Sequence, residues 1–182
     1  IGLTETISYS ATSEKLLNLT PLISNLGKSI ELDNPISNEH AYLRKSIIPS
    51  LLINASRNTH YWKKPIRLFE TGSVFYMDQS KIIEKTMISG ILAGTRNELN
   101  WNQEEGLVDY FDIKGIVEFI LKKLNIKVEF TDYTDPLFDL HKSSKIFNKN
   151  INKDIGFIGE VSSKLLAELD FNSNNVVIFE LD

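Results

Sequence analysis

Residues 109–124 carry the pattern that most limits what this chain can fold into. Tyr110, Ile113, Val117, Ile120, Leu121 and Leu124 line one stripe, while Lys114, Glu118, Lys122 and Lys123 stay outside it. That spacing predicts an amphipathic helix, and an amphipathic helix must lay its apolar face on a core built by other segments. Gly115 falls in its middle. A mid-helix Gly costs about 1 kcal/mol against Ala, which predicts that another backbone packs closely there.

A second helix is legible earlier. Leu43, Ile47, Ile48, Leu51, Leu52 and Ala55 recur at helical spacing, interrupted by Pro49. Proline inside a helix costs about 3 kcal/mol but is favoured in the first turn, so the helix is expected to start near Ile47 or Ile48 and run to about Thr59. Arg44 then lies just before it. Upstream, Asp33-Asn34-Pro35 reads as a turn and Ile7 to Tyr9 as a short strand, with a loop or short helix through Leu26-Gly27.

The remaining segments read as strands. Ile66 to Tyr76 nearly alternates and contains Gly72, which invites a bulge. Thr86 to Gly94 has small residues at alternate positions, suited to close approach inside a sheet. Thr95 to Gly106 is a polar loop whose Trp101 is expected to fold back on the core. Lys127 to Thr131, Lys145 to Phe147, Ile155 to Ile158 and Val176 to Leu181 follow as strands, with a short helix over Glu160 to Leu169. This order fits an α+β fold, a mainly antiparallel sheet flanked by helices laid on one side, in a single domain over residues 1–182.

Composition excludes several classes of function. There is no cysteine, so thiol redox chemistry and cysteine-ligated metal sites are absent. His40, His60 and His141 are far apart and lack metal-ligand spacing, and neither glycine-rich phosphate loop is present. A net charge of −4 argues against a broad phosphate-neutralising surface. No run approaches the roughly 18 apolar residues of a membrane span, and no signal peptide is evident, so a cytoplasmic protein is expected. The missing initiator Met and the strand-like last residues suggest a piece of a longer chain.

Five blocks of sequence, in order, resemble the beta subunits of phenylalanyl-tRNA synthetases. Asn34-Pro35-Ile36-Ser37-Asn38-Glu39, then Leu43-Arg44 and Ser46-Ile47-Ile48-Pro49-Ser50-Leu51-Leu52 with Asn58, is similar to that family's N-P-[ILM]-S-x-E, hydrophobic-Arg and S-[LI]-[LI]-P-x-L-L run. Leu68-Phe69-Glu70-Thr71-Gly72-Ser73-Val74-Phe75 resembles its L-F-E-x-G-x-V-F strand. Phe111-Asp112-Ile113-Lys114-Gly115-Ile116-Val117-Glu118 looks like its F-D-x-K-G-x-V-E helix. Ile155-Gly156-Phe157-Ile158-Gly159-Glu160 and Phe179-Glu180-Leu181 resemble its I-G-x-x-G-E and F-E-L segments. One departure is plain: where bacterial members have H-P-G-R-S-A, this chain has His141-Lys142-Ser143-Ser144-Lys145, without the Pro-Gly turn or the arginine.

The resemblance implies a class II aminoacyl-tRNA synthetase-like fold without catalytic, cofactor-binding or metal residues of its own. Active class II domains use a Phe-Arg-x-Glu strand and a late arginine to grip ATP. Here Arg67 and Glu70 are three apart, on opposite faces of a strand, and no arginine follows Arg96. Lysine cannot reproduce the planar bidentate grip. The implied role is support of an alpha subunit that uses ATP and magnesium to attach phenylalanine to tRNA, in an alpha2beta2 heterotetramer, with tRNA contacted through other parts. The helix from Ile47 corresponds to the motif that builds the subunit interface. Arg44, Ile47, Ile48, Leu51, Leu52, Ala55, Asn58 and Glu70 are the expected interface residues, against the competing expectation that the apolar ones fill the domain's own core. Two other functions compete: a self-sufficient class II-like ATP-using ligase, and a general α+β interaction module unrelated to translation.

Overall fold

The computed structural model describes residues 2–19, 27–61, 65–97, 106–173 and 175–182. In chain order the elements are β1 (Thr4–Glu5), β2 (Ala11–Thr12), α1 (Glu14–Leu17), a 3-10 turn (Asn38–His40), β3 (Tyr42–Leu43) and α2 (Ile48–Tyr61). They continue with β4 (Ile66–Asp78), β5 (Lys81–Ala93), α3 (Tyr110–Lys123), β6 (Val128–Asp132), β7 (Phe138–Asn148), β8 (Lys153–Val161), α4 (Ser163–Glu168) and β9 (Val176–Leu181). A seven-stranded sheet has the order β1-β4-β5-β9-β8-β7-β6, and β2 pairs with β3 separately. Only the β1–β4 pair is parallel; the other pairs in the sheet are antiparallel.

Strand β9 explains the architecture. Its residues Val-Val-Ile-Phe-Glu-Leu are all buried, and a strand without a solvent-facing side must be covered on both faces. Val176 and Ile178 join a core with Leu51, Leu52 and Ala55 of α2 and Leu165 and Leu166 of α4. Val177, Phe179 and Leu181 point the other way, into a core with Ile113, Ile116, Val117 and Leu121 of α3. Helices therefore lie on both faces, which corrects the expectation of helices on one side. Amphipathic periodicity says that a helix has a buried face, not which side of the sheet receives it.

Local chemistry fixes the helix boundaries. Pro49 occupies the first turn of α2, where a proline's missing N–H removes no intrahelical bond. Asp109 caps α3: its carboxylate accepts from the backbone N–H groups of Phe111 and Asp112, and Asp112 accepts in return from the N–H of Asp109. Arg96 donates to both carboxylates and ties the β5–α3 connection to this end of the helix.

Several local expectations are corrected. Ile7 to Tyr9 is not a strand; Ile7 and Tyr9 are exposed, and the short strands flank them. Pairing of β4 with β5 runs without a shift through Gly72↔Met87, so Gly72 makes no bulge. A Cβ on Gly115 would meet nothing, so no backbone of the described residues approaches it. The buried stripe of α3 includes Ile116, which the pattern passed over, while Leu124 is largely exposed. Where the Pro-Gly turn is missing, β7 continues instead with His141 at φ 62°, and the register with β8 shifts between Phe138 and Ser143. Trp101 lies outside the described residues.

The candidate site at the start of helix α2

Four segments distant in sequence converge where α2 begins. Arg44, just before the helix, donates from Nη1 to Glu70 Oε1 of β4 at 2.6 Å and from Nε to the Ser73 carbonyl at 3.0 Å. The two side chains are 4% and 2% exposed. Glu70 also accepts from the Ser8 backbone N–H at 3.2 Å and from the Ser8 hydroxyl at 2.6 Å, so its charge is hydrogen-bonded from two directions. The main chain reinforces the crossing: Arg44 N–H donates to Ser10 O, and Phe75 N–H donates to Arg44 O.

Gly72 makes room for this pair. Built outward, its Cβ would fall well inside van der Waals contact of the Arg44 guanidinium. The E-x-G spacing of β4 is thus one device in two parts: a carboxylate to hold the arginine, and a gap two residues on, on the same strand face, to admit it.

Glu180 of β9 supplies the second lock. Its Oε1 accepts from the Ile47 backbone N–H at 2.9 Å, the Ser46 hydroxyl at 3.0 Å and the Ser89 hydroxyl at 2.7 Å. Ser46 Oγ in turn accepts from Ile48 N–H at 3.0 Å. Burial pushes the Glu180 carboxyl above the ordinary glutamate range, opposed by these hydrogen bonds and by the charge of Arg44. The side chain sits directly across from Ser89 in the β5–β9 register, one position from the pair in which the Phe179 ring packs over Gly90.

A third carboxylate acts on the opposite face. Glu160 of β8 accepts from the Tyr110 backbone N–H at 3.1 Å and pairs with Lys142 of β7. It anchors the first turn of α3, where negative charge is favoured. Tyr110 also shares a 2.8 Å hydrogen bond with Ser144.

The expected interface residues separate into three groups. Ile47, Ile48, Leu51, Leu52 and Ala55 are fully buried in this chain's own core. Arg44 and Glu70 are brought together as a buried pair. Asn58 is exposed and donates to the Asn54 carbonyl one turn back at 2.7 Å. On the outer face of α2, Arg57, Asn58 and Tyr61 are exposed. Lys45, Ser46, Ser89 and Glu180 went unassigned in the sequence. The available signal was the one polar residue inside the apolar Val176–Leu181 run, since a buried carboxylate needs donors from somewhere.

The arginine and glutamate of β4 that come nearest to the active class II pattern are engaged within the chain. Arg67 Nη2 donates to the Arg96 carbonyl, and Glu70 belongs to Arg44. Arg67 and Glu70 do face opposite sides of β4: Glu70 lies on the α2 face with Leu68 and Val74, and Arg67 on the other.

This sheet, with its helices and buried carboxylate locks, has the fold of the class II synthetases. Pyrrolysyl-tRNA synthetase from Desulfitobacterium hafniense superimposes with a TM-score of 0.68 over 99% of this chain and 60% of that one, at 14% identity. Residues 1–182 match the family described as the phenylalanyl tRNA synthetase beta chain CLM domain, and the chain belongs to that family. It is 32% identical to the phenylalanine-tRNA ligase beta subunit of Listeria innocua over 183 residues, and 34% identical to that of Bacillus subtilis over 186. All of this chain aligns in both cases, but it spans only 22% of either relative's length. Membership rules out an interaction module unrelated to this family.

Proposed function

We propose that residues 1–182 act as a single non-catalytic unit of a phenylalanine-tRNA ligase beta subunit. The unit supports an alpha subunit that attaches phenylalanine to tRNA with ATP and magnesium, in an alpha2beta2 assembly in the cytoplasm, and tRNA is contacted through other parts. Among the described residues no helix is long and apolar enough to cross a membrane. The observation that carries the reading is the internal engagement of the two β4 residues that come nearest to an ATP-gripping pair: Glu70 is buried against Arg44, and Arg67 is turned to the opposite face, where it donates to the Arg96 carbonyl.

The partner is proposed to meet the region of α2. Ile47, Ile48, Leu51, Leu52 and Ala55 hold the helix on the sheet, and Arg44 and Glu70 fix its entry. Contact then falls to the outer face with Asn58, Arg57 and Tyr61. Leu51→Asp or Leu52→Asp would unfold the core and so cannot test contact; Tyr61→Asp and Asn58→Asp leave the core intact. Calorimetric titration of the full-length chain with its alpha subunit should show affinity that these surface variants weaken, and titration with ATP and Mg²⁺ alone should show none. Saturable ATP binding without the alpha subunit would favour the self-sufficient ligase instead, and unchanged alpha-subunit affinity in both variants would move the interface elsewhere.

A further inference from the structure

The α2 face of the sheet is only partly covered. Beyond the start of the helix, toward the hairpin end of β4 and β5, lies a cleft of about 260 Å³. It is many times the ~30 Å³ share of one water and close to the ~300 Å³ at which small-molecule sites begin. Val74, Tyr76, Met87 and Phe157 contribute apolar and aromatic surface.

Its inner wall carries two buried ionisable groups with unused hydrogen-bonding capacity. Lys45 is 6% exposed, and its ammonium makes one hydrogen bond among the described residues, to the Gly27 carbonyl at 3.1 Å. An ammonium has three donors, so two lack a protein partner there. Glu180 is 3% exposed, and all three of its donors converge on Oε1, leaving Oε2 without a hydrogen bond among the described residues. Buried polar atoms are nearly always satisfied, and exceptions call for a ligand or water.

The charges at the mouth differ in kind. Lys85 and Lys153 share Asp182, and Lys145 pairs with Asp154, all substantially exposed. Each of these lysines has an acidic partner, whereas Lys45 has none among the described residues. Burial shifts the Glu180 carboxyl above its ordinary range and the Lys45 ammonium below its own. A buried ammonium with two donors left over, at the end of an apolar and aromatic wall, is complementary to an anionic head on a flat apolar body.

We propose that this cleft binds a small aromatic anion, a carboxylate or phosphate monoester, with its head group on Lys45 and its ring against Met87 and Phe157. The proposal is independent of the alpha-subunit reading, since the cleft lies on the sheet face and not on the outer face of α2.

The test titrates the full-length chain with phenyl phosphate, benzoate and inorganic phosphate, following the ¹³C methyl resonance of Met87, assigned through Met87→Leu. At least one aromatic anion should saturate and shift Met87 but not Met77, which lies outside the cleft; whichever binds more tightly identifies the head group. Inorganic phosphate should bind about tenfold more weakly for want of apolar contact. Lys45→Met, which keeps the stem and removes the charge, should weaken the aromatic anion about tenfold or more, while Lys153→Met at the mouth should change it less than about threefold. Absence of saturable binding by both aromatic anions, or equal loss in the two lysine variants, overturns the proposal. If Lys45→Met does not fold, the Met87 response of the unaltered chain decides alone.

Discussion

Arg44 and Glu70 meet at 2.6 Å with almost no exposure, joining the residue that leads into α2 to the middle of β4. A buried pair of this kind holds geometry more than it adds stability, because both ions lose their hydration. Removing one partner strands the other. Arg44→Met is therefore expected to destabilise the fold by about 3–5 kcal/mol, and Arg44→Met with Glu70→Leu by less than the sum of the two single changes. Urea unfolding of the four proteins in the cycle measures the difference.

Gly72→Ala should resemble the loss of Arg44 rather than an ordinary strand substitution. The added methyl displaces the guanidinium. In the Arg44→Met background the same change should cost markedly less, because the shorter side chain leaves space. Equal cost in both backgrounds would show that Gly72 serves some purpose other than clearance.

Gly115→Ala should act in the opposite direction. Gly115 sits within α3 with open space where a Cβ would go, so alanine is expected to stabilise the isolated domain by about 0.8–1 kcal/mol. A thermal melt checks this.

Glu180→Gln tests the electrostatics of the central lock. The folded carboxyl titrates above its ordinary value of 4.5, so between that value and the raised one the native state keeps a proton the unfolded state has lost. Stability from this group is full below the ordinary value, falls as pH rises through the window and stays lower above it. The glutamine amide oxygen can accept the same three hydrogen bonds. The variant should thus be at least as stable as the parent at neutral pH, and the parent's relative advantage should appear only toward acid. Urea midpoints from about pH 4 to pH 8 follow the difference.

The local and periodic features were legible in the sequence. Pro49 set the start of α2, because its ring is tolerated only in the first turn. The 3.6-residue stripe located α3, and β-branched runs located β4, β5 and β9. The ordered blocks also identified the family, and the Arg67–Glu70 spacing set those side chains on opposite strand faces.

The partners of the buried polar residues were not legible. Arg44 meets Glu70 across 26 positions, and Ile47 meets Glu180 across 133. Separations of that size carry no periodic signal, and nothing in a residue's neighbours along the chain states which donors will surround it. The Gly115 expectation failed for a related reason: propensity registers that a glycine is costly in a helix, but not whether anything occupies the space beside it. The placement of α3 across the sheet from α2 follows the same rule, since only closure of β9 between β5 and β8 decides which face each helix must cover. What the sequence determined by itself was the main helices and strands and the family; what the tertiary structure decided was the short strands near the start of the chain, the pairing of charges, the two-sided core and the cleft, because each depends on distances between segments that the chain brings together only on folding.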